Sequence, residues 1–247
     1  MRTRLERLLN DLELERQTFD TLWKDVAHFE MPTRARFHTT NVNRGDRRNN
    51  HIIDNTALIA TRTFRSGFMS FLTSPDTIWW RFTTPDAELA KVPRVKEWLH
   101  RLSRRMSVIL DKSNIYTSFN MLYGDLALFA IGAMSIEEDF KTVIKTKVYP
   151  IGSYYISVNE KGEVNVWARK YRMTVRQVVE EFATNPDGSL DFKNITFATQ
   201  QLWETNSREA WVDVVHIIEP NDKTQPGGME SETKKFRSVW IERGRGS

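Results

Sequence analysis

A chain of 247 residues with 40% apolar and 11% aromatic side chains can build one large domain or two small ones, and is not disordered as a whole. Its net charge of +4 is mildly basic, short of the excess that marks a dedicated nucleic-acid coating protein. No cysteine occurs, which excludes a disulfide framework and thiolate metal sites and fits a reducing compartment.

The N-terminal stretch MRTRLERLLNDLELERQ mixes both charge signs and does not read as a secretory signal. Residues 2–30 carry Leu5, Leu8, Leu9, Leu12, Phe19, Leu22, Trp23, Val26 and Phe29 at spacings of three and four, the pattern of one long amphipathic helix ended by Pro32. Its apolar stripe packs either on its own domain or along a neighbouring subunit. Residues 33–50, TRARFHTTNVNRGDRRNN, hold five arginines, one aspartate and no apolar period, so they read as an exposed loop. The charge of this loop equals that of the whole chain. Arg34, Arg36, Arg44, Arg47 and Arg48 are candidates for phosphate contact as planar, permanently charged forks, with a solvated or ion-pairing surface as the alternative.

Asp54 is the expected N-cap of a helix through about Leu72, with Leu58, Ile59, Phe64, Phe68, Phe71 and Leu72 on its buried side. Gly67, inside that pattern, is expected to admit another backbone closely. Ser74-Pro75-Asp76 reads as a turn and Ile78–Thr83 as a strand, which would place Trp79 and Trp80 on opposite faces and require cover for both. Pro93 opens a helix to about Lys112 with an apolar stripe of Val95, Trp98, Leu99, Leu102, Met106, Ile109 and Leu110. Arg94, Lys96, Arg101, Arg104 and Arg105 occupy its other face, as solubilising charge or as an interaction surface. Asn114–Phe129 is a further helix, buried on most sides.

From Gly132 the period changes. AMSIEED, KTVIKTKVYP, SYYISVN and EVNVWARKYR read as strands, the last two joined by the turn Asn159-Glu160-Lys161-Gly162. Thr174 caps a short helix, VRQVVEEFA, which ends near the turn Asn185-Pro186-Asp187-Gly188. A weaker helix follows over 193–204, and a final strand pair, AWVDVVHIIEP and KKFRSVWIER, brackets the polar loop 220–234. The strand pattern of Val239, Trp240 and Ile241 then runs into Arg243-Gly244-Arg245-Gly246-Ser247, which leads to the expectation of a truncated product, with a disordered tail as the alternative. The fold class expected is α+β: a long N-terminal helix and a helical region packed with a mostly antiparallel sheet, divided into a helical region 1–131 and a strand-rich region 132–247.

Catalytic patterns are weak. The chain has no Walker loop, no G-x-G-x-x-G after a strand, no H-E-x-x-H and no G-x-S-x-G. His51 and Asp54 are three apart but lack a third ligand. Glu137, Glu138 and Asp139 end a strand, where charges commonly fall, and a two-metal nuclease needs further acids in context. His216, in an apolar strand, is expected to be a satisfied core histidine, and Asp125, in an apolar helix, is expected to be hydrogen-bonded or paired. No catalytic residue, metal or cofactor is expected, and the chain is read as a non-enzyme. The longest apolar stretch, LYGDLALFAIGAM, is interrupted by Asp125 and too short to span a bilayer, so no membrane partner is expected and the chain reads as soluble and cytosolic in type.

The stretch DNTALIATRTFRSGFMSFLTSPDTIWWRF, followed by SNIYTSFNMLYGDLALFAIGAMSIEED and later by VYPIGSYYISVNEKGEVNVWARKYRMTVRQVVEEF, resembles the head-to-tail connecting (portal) proteins of short-tailed bacteriophages. In that family a long charged helix, an Arg-rich loop, a Phe-rich helix, a proline turn, a tryptophan-containing strand and an S-N-x-Y helix follow in order, matching residues 2–30, 33–50, 54–73, 75–82 and 113–139. The resemblance covers nearly the whole chain and rests on the order of several segments rather than on one motif. Family members are about twice as long, so the resemblance implies an N-terminal half containing the wing region. It implies a dodecameric ring at one capsid vertex of the virion, assembled in the host cytoplasm, that passes double-stranded DNA in packaging and ejection. A separate terminase, the capsid and tail adaptor proteins are the implied partners. It also offers cover for the two tryptophans: Trp79 and Trp80 become candidates for the subunit interface. The competing classes are a stand-alone basic nucleic-acid-binding protein, using the 33–50 arginines and the 94–105 face, and a metal-dependent nuclease using Glu137, Glu138 and Asp139.

Overall fold

Six helices and six strands form among the residues described in the computed structural model, which are 2–31, 52–185, 187–224 and 233–243. The helices are α1 (Arg2–Glu30), α2 (Thr56–Leu72), α3 (Pro93–Lys112), α4 (Ile115–Phe129), α5 (Val175–Phe182) and α6 (Phe197–Glu204). The strands are β1 (Ala133–Asp139), β2 (Val143–Tyr149), β3 (Tyr154–Val158), β4 (Val164–Thr174), β5 (Trp211–Pro220) and β6 (Phe236–Arg243). All pairings are antiparallel, in a two-stranded sheet β1-β2 and a four-stranded sheet β3-β4-β5-β6. The class is α+β, as expected. No helix among the described residues is long and apolar enough to cross a membrane.

The chain divides into two compact units. The first comprises residues 1–19 and 153–247, and the second residues 20–152. In the first unit, Leu5, Leu9 and Leu12 of α1 pack on one face of the four-stranded sheet against Tyr155, Val166, Ala168, Val215 and Ile217. The spacing of those leucines puts them on one side of the helix, and the strand alternation puts their partners on one side of the sheet. Polar contacts fix the helix further. Arg16 donates to the Tyr154 carbonyl at 2.8 Å and lies over the Tyr155 ring, Lys170 pairs with Glu13, and Arg4 reaches Glu219 at 3.0 Å. Glu219 is 2% exposed and also accepts from Arg237 Nε at 2.7 Å, so its buried charge is met by two guanidinium groups. The carboxylate holds the Arg4 pKa above its ordinary value, first through the hydrogen bond and then through its charge.

Helices α5 and α6 build a smaller cluster around Val175, Val179 and Ala183. Thr174 forms the expected cap as a complete capping box with Gln177. Glu242 of β6 accepts from the Thr196 amide at 3.0 Å, from its hydroxyl at 2.6 Å and from the Thr199 hydroxyl at 2.5 Å, which ties the start of α6 to the sheet. The turn at 159–162 closes as expected, the Gly188 amide donates to the Asn185 carbonyl at 2.9 Å, and Gly162 and Gly188 stand at positive φ.

His216 is half-buried rather than a fully satisfied core residue. Its ring stacks on Trp240 at 4.2 Å and meets Trp167 edge-on, and Nε2 lies 2.7 Å from the Ser238 hydroxyl. Nδ1 has no hydrogen-bond partner among the described residues. Burial, with the Arg169 charge adding to it, pushes its pKa down to about 4.

Two predictions follow from the first unit. Arg237→Ala leaves the buried Glu219 carboxylate with one partner fewer, and is expected to lower stability by about 2–3 kcal/mol in urea unfolding. An unchanged midpoint excludes the ion pair as a stabilising contact. The second concerns pH. An unfolded chain protonates His216 near its ordinary value of about 6.5, whereas the folded chain resists protonation down to about 4. Stability is therefore full above pH 6.5 and declines as pH falls toward 4. His216→Phe is expected to flatten that decline in midpoints measured between pH 7 and 4.

Candidate subunit interface

The second unit is built on α2 and α4, which pack along one another, with α3 and the β1-β2 hairpin against α4. Its organising contact lies where α3 gives way to α4. The Asn114 side chain donates to the Thr146 carbonyl at 2.7 Å and accepts from the Thr146 amide at 2.8 Å, while Thr146 Oγ1 bonds Asn114 Oδ1 at 3.0 Å and Ser118 Oγ at 2.7 Å. Ser113 closes the same junction: its hydroxyl donates to the Leu110 carbonyl and accepts from the Ile115 amide. Sequence reading used Ser113-Asn114 only as part of a motif. The structure gives that motif a job, which is to hold β2 on the helices.

An unbroken chain of aromatic contacts runs over this frame. Phe64 meets Phe68 at 4.4 Å, Phe68 meets Tyr123, Tyr123 stacks on Phe119, and Phe119 meets Trp79 at 6.1 Å. Trp79 then meets Trp80 at 6.4 Å, and Trp80 meets Phe82 edge-on at 5.1 Å. The Tyr123 hydroxyl is satisfied inside the unit by Thr73 at 2.9 Å. Phe119, Tyr123 and Thr73 escaped sequence reading, because periodicity identifies a helix face but not which of its members meet.

Several expectations need correction. Residues 78–83 form no strand. They carry no regular secondary structure, and the Phe82 amide donates to the buried Ser103 hydroxyl of α3 at 3.0 Å instead of to a ladder. The face of α2 expected to be buried is largely open: Ile59, Phe64, Phe68 and Leu72 are exposed, and Phe71 is 90% exposed. Trp98, assigned to the apolar stripe of α3, is also exposed, although that helix has the expected bounds. A Cβ at Gly67 would meet nothing within 4 Å, so no backbone approaches there, whereas one at Gly124 would lie 3.2 Å from Arg65 Cδ, the close passage being on α4. Asp54 accepts from the Thr56 amide at 2.9 Å but sits one residue before the N-cap, Asn55.

Trp79 is 38% exposed and Trp80 is half-buried, so their own chain leaves part of each uncovered. Both line a groove of about 260 Å³ between residues 75–80 and Arg104, Ser107, Val108 and Asp111 of α3, with Tyr116 of α4. Arg94, Lys96, Arg101, Arg104 and Arg105 are exposed along α3, Arg101 pairing with Glu97 at 2.7 Å. Arg34, Arg36, Arg44, Arg47 and Arg48 lie outside the described residues, as does His51.

The remaining chemical candidates do not converge. Glu137 and Glu138 are exposed on β1, and Asp139 accepts from the Lys141 and Thr142 amides and the Thr142 hydroxyl, bonds that hold its pKa below the ordinary value. Asp125 is 1% exposed and engaged. No group of three potential metal ligands is found among the described residues. What the unit presents is a set of exposed large apolar side chains, among them Phe64, Phe68, Phe71, Trp79 and Trp98.

Comparison with known proteins bears on that surface. The family model described as bacteriophage head to tail connecting protein matches residues 2–247. A "Portal protein" of Salmonella phage epsilon15 is 40% identical over 241 residues, covering 98% of this chain and 42% of the relative. A "Probable portal protein" of Bordetella phage BPP-1 is 32% identical over 233 residues, covering 94% of this chain and 40% of the relative. The chain thus spans about two fifths of the length of these curated relatives.

Asn114→Ala removes both bonds to the backbone of the buried Thr146 and is expected to cost about 1–2 kcal/mol in urea unfolding. Amide exchange at Thr146 is expected to accelerate with it. Unaltered exchange there excludes Asn114 as the tether of β2.

Proposed function

The chain belongs to the bacteriophage head-to-tail connecting protein family, and from that premise we propose that it is a structural subunit of a portal ring through which double-stranded DNA is packaged and ejected. The observation that carries this reading is the family match over residues 2–247, joined by two relatives named as portal proteins. The exposed aromatic surface of the second unit supports it, because a ring subunit needs apolar faces that only its neighbours cover. In a ring each copy offers two different faces, one to each neighbour, and the rotation between copies closes the circle. Twelve copies at one capsid vertex is the arrangement that the family resemblance implies.

The work of such a subunit is mechanical. Terminase supplies the energy, the capsid holds the ring, and tail adaptor proteins dock after packaging; the ring itself hydrolyses nothing. Contact with the passing duplex is electrostatic and independent of sequence, with Arg34, Arg36, Arg44, Arg47 and Arg48 as candidates either for the phosphates or for a neighbouring subunit. The site of action is the portal vertex of the virion, with assembly in the host cytoplasm.

Sedimentation velocity and negative-stain imaging of the 247-residue chain test this reading. The expected result is reversible self-association into arcs or closed rings as concentration rises. A species that stays monomeric at the highest attainable concentration, yet binds DNA at low salt, overturns it in favour of a stand-alone nucleic-acid-binding protein.

A further inference from the structure

The β1-β2 hairpin ends in an unusual way. Phe140, at its tip, is fully exposed, with no part of the ring covered by the chain. The hairpin that carries it is well defined. Pairing runs without a break from Ala133↔Tyr149 to Asp139↔Val143, and the turn is locked by the Asp139 carboxylate and by the bond from the Thr142 hydroxyl to the Ile144 carbonyl. Val143 closes it at φ +69°, a left-handed conformation that a β-branched residue adopts only under strain. An aromatic ring is thus held in water by a preorganised turn, where a free loop could fold it back against the chain.

The same unit contains a space for such a ring. The groove beside Trp79 and Trp80 has a volume of about 260 Å³ and walls of Ile78, Trp79, Trp80, Val108 and Tyr116. That is smaller than the roughly 300–1,000 Å³ of pockets that enclose small-molecule ligands, and its aromatic walls suit one apolar side chain. Each feature carries both signs: Glu137, Glu138 and Asp139 with Lys141, Lys145 and Lys147 on the hairpin, where Glu137 lies directly across from Lys145, and Asp76 and Asp111 with Arg104 at the groove. Glu138 stands exposed on the strand leading to Phe140, while Arg104 stands exposed on the groove wall, with no partner among the described residues. Lys141, next to Phe140, matches Asp76 and Asp111 on the groove wall.

On the ring reading given above, on which this step rests, we infer that the Phe140 tip of one copy seats in the Trp79–Trp80 groove of the next copy. The arrangement buries the exposed ring, fills the groove and covers both tryptophans, with Glu138 set against Arg104 and Lys141 against Asp76 or Asp111 to fix orientation. One knob and one hole per copy make the contact heterologous, as ring closure requires.

The absence of cysteine makes the test clean. Lys141→Cys and Ser107→Cys are made in separate copies, which leaves Phe140 and both tryptophans intact, and the two are mixed under mild oxidation. Covalent dimers are expected from the mixture and not from either variant alone. Phe140→Ala is expected to weaken self-association at least ~tenfold without lowering the thermal midpoint, because the ring contributes nothing to the monomer. Arg104→Glu and Glu138→Arg are each expected to weaken association, and to restore it when combined. Oligomers that persist in Phe140→Ala, with no cross-link in the mixture, overturn this inference and leave the ring reading standing. Failure of the unsubstituted chain to associate overturns the ring reading, and this inference with it.

Discussion

The side chain of Asn114 behaves as a strand would. It offers an amide donor and a carbonyl acceptor to the backbone of Thr146, so the edge of β2 that faces away from β1 is satisfied by the start of a helix. Because both Thr146 groups point toward Asn114, Thr146 and Ile136 form a non-hydrogen-bonded pair within the hairpin. The second unit depends on this substitution. A two-stranded sheet is marginal alone in water, and here its inner edge and the first turn of α4 hold one another. The position of α4 in turn sets where Phe119 and Tyr123 meet the rings of α2 and of residues 79–82. Without the Asn114 bonds, the hairpin and the aromatic chain lose their common reference.

The aromatic chain has two consequences. Its edge-on and stacked contacts order residues 78–82, which have no sheet partner and only the Ser103 hydroxyl to receive the Phe82 amide. It also keeps large rings at the surface. A ring that is half covered by another ring still exposes its outer face, and most of the exposed large apolar side chains fall in this second unit. The unit is therefore ordered by contacts that do not remove its apolar surface from water. That combination suits a subunit whose remaining cover comes from a neighbour.

The sequence made some of this legible and hid the rest for definable reasons. Helix α3 begins and ends where Pro93 and Lys112 predict, and Thr174 and Gln177 form the box that their spacing predicts, because caps and breakers act locally. The four strand segments after Gly132 and the final pair were readable from alternation. Alternation at residues 78–83 was misleading, since it reports an extended backbone but not the presence of a partner strand. The periodic face of α2 found a helix correctly and its burial incorrectly: Phe68 and Phe71 look the same in a sequence whether a core or another molecule covers them. The Asn114–Thr146 pair was out of reach, because the two residues are 32 apart and neither is unusual in its own segment. For the interface, sequence reading named Trp79 and Trp80 but had no means of finding the groove they line.

The two units resolve their polar and apolar demands in opposite ways. In the first, carboxylates are taken inside and answered there: Glu219 by Arg4 and Arg237, and Glu242 by the amide of Thr196 and the hydroxyls of Thr196 and Thr199. Such groups cost too much to bury without partners, so each fixes a helix to the sheet in a definite place, and the leucine stripe of α1 fills the space between them. In the second, the acids Glu137 and Glu138 of β1 and the bases of α3 remain outside, with Asp125 of α4 a buried exception, while rings remain half covered. Separated surface charges contribute little to the stability of a lone chain. Their value rises where a second surface excludes water from between them, so a face that combines exposed rings with exposed charges gains from a neighbour whose charges are complementary. The first unit answers the charge of Glu219 and Glu242 internally. On the proposed ring reading, the half-covered rings of the second unit are what a neighbouring copy would cover.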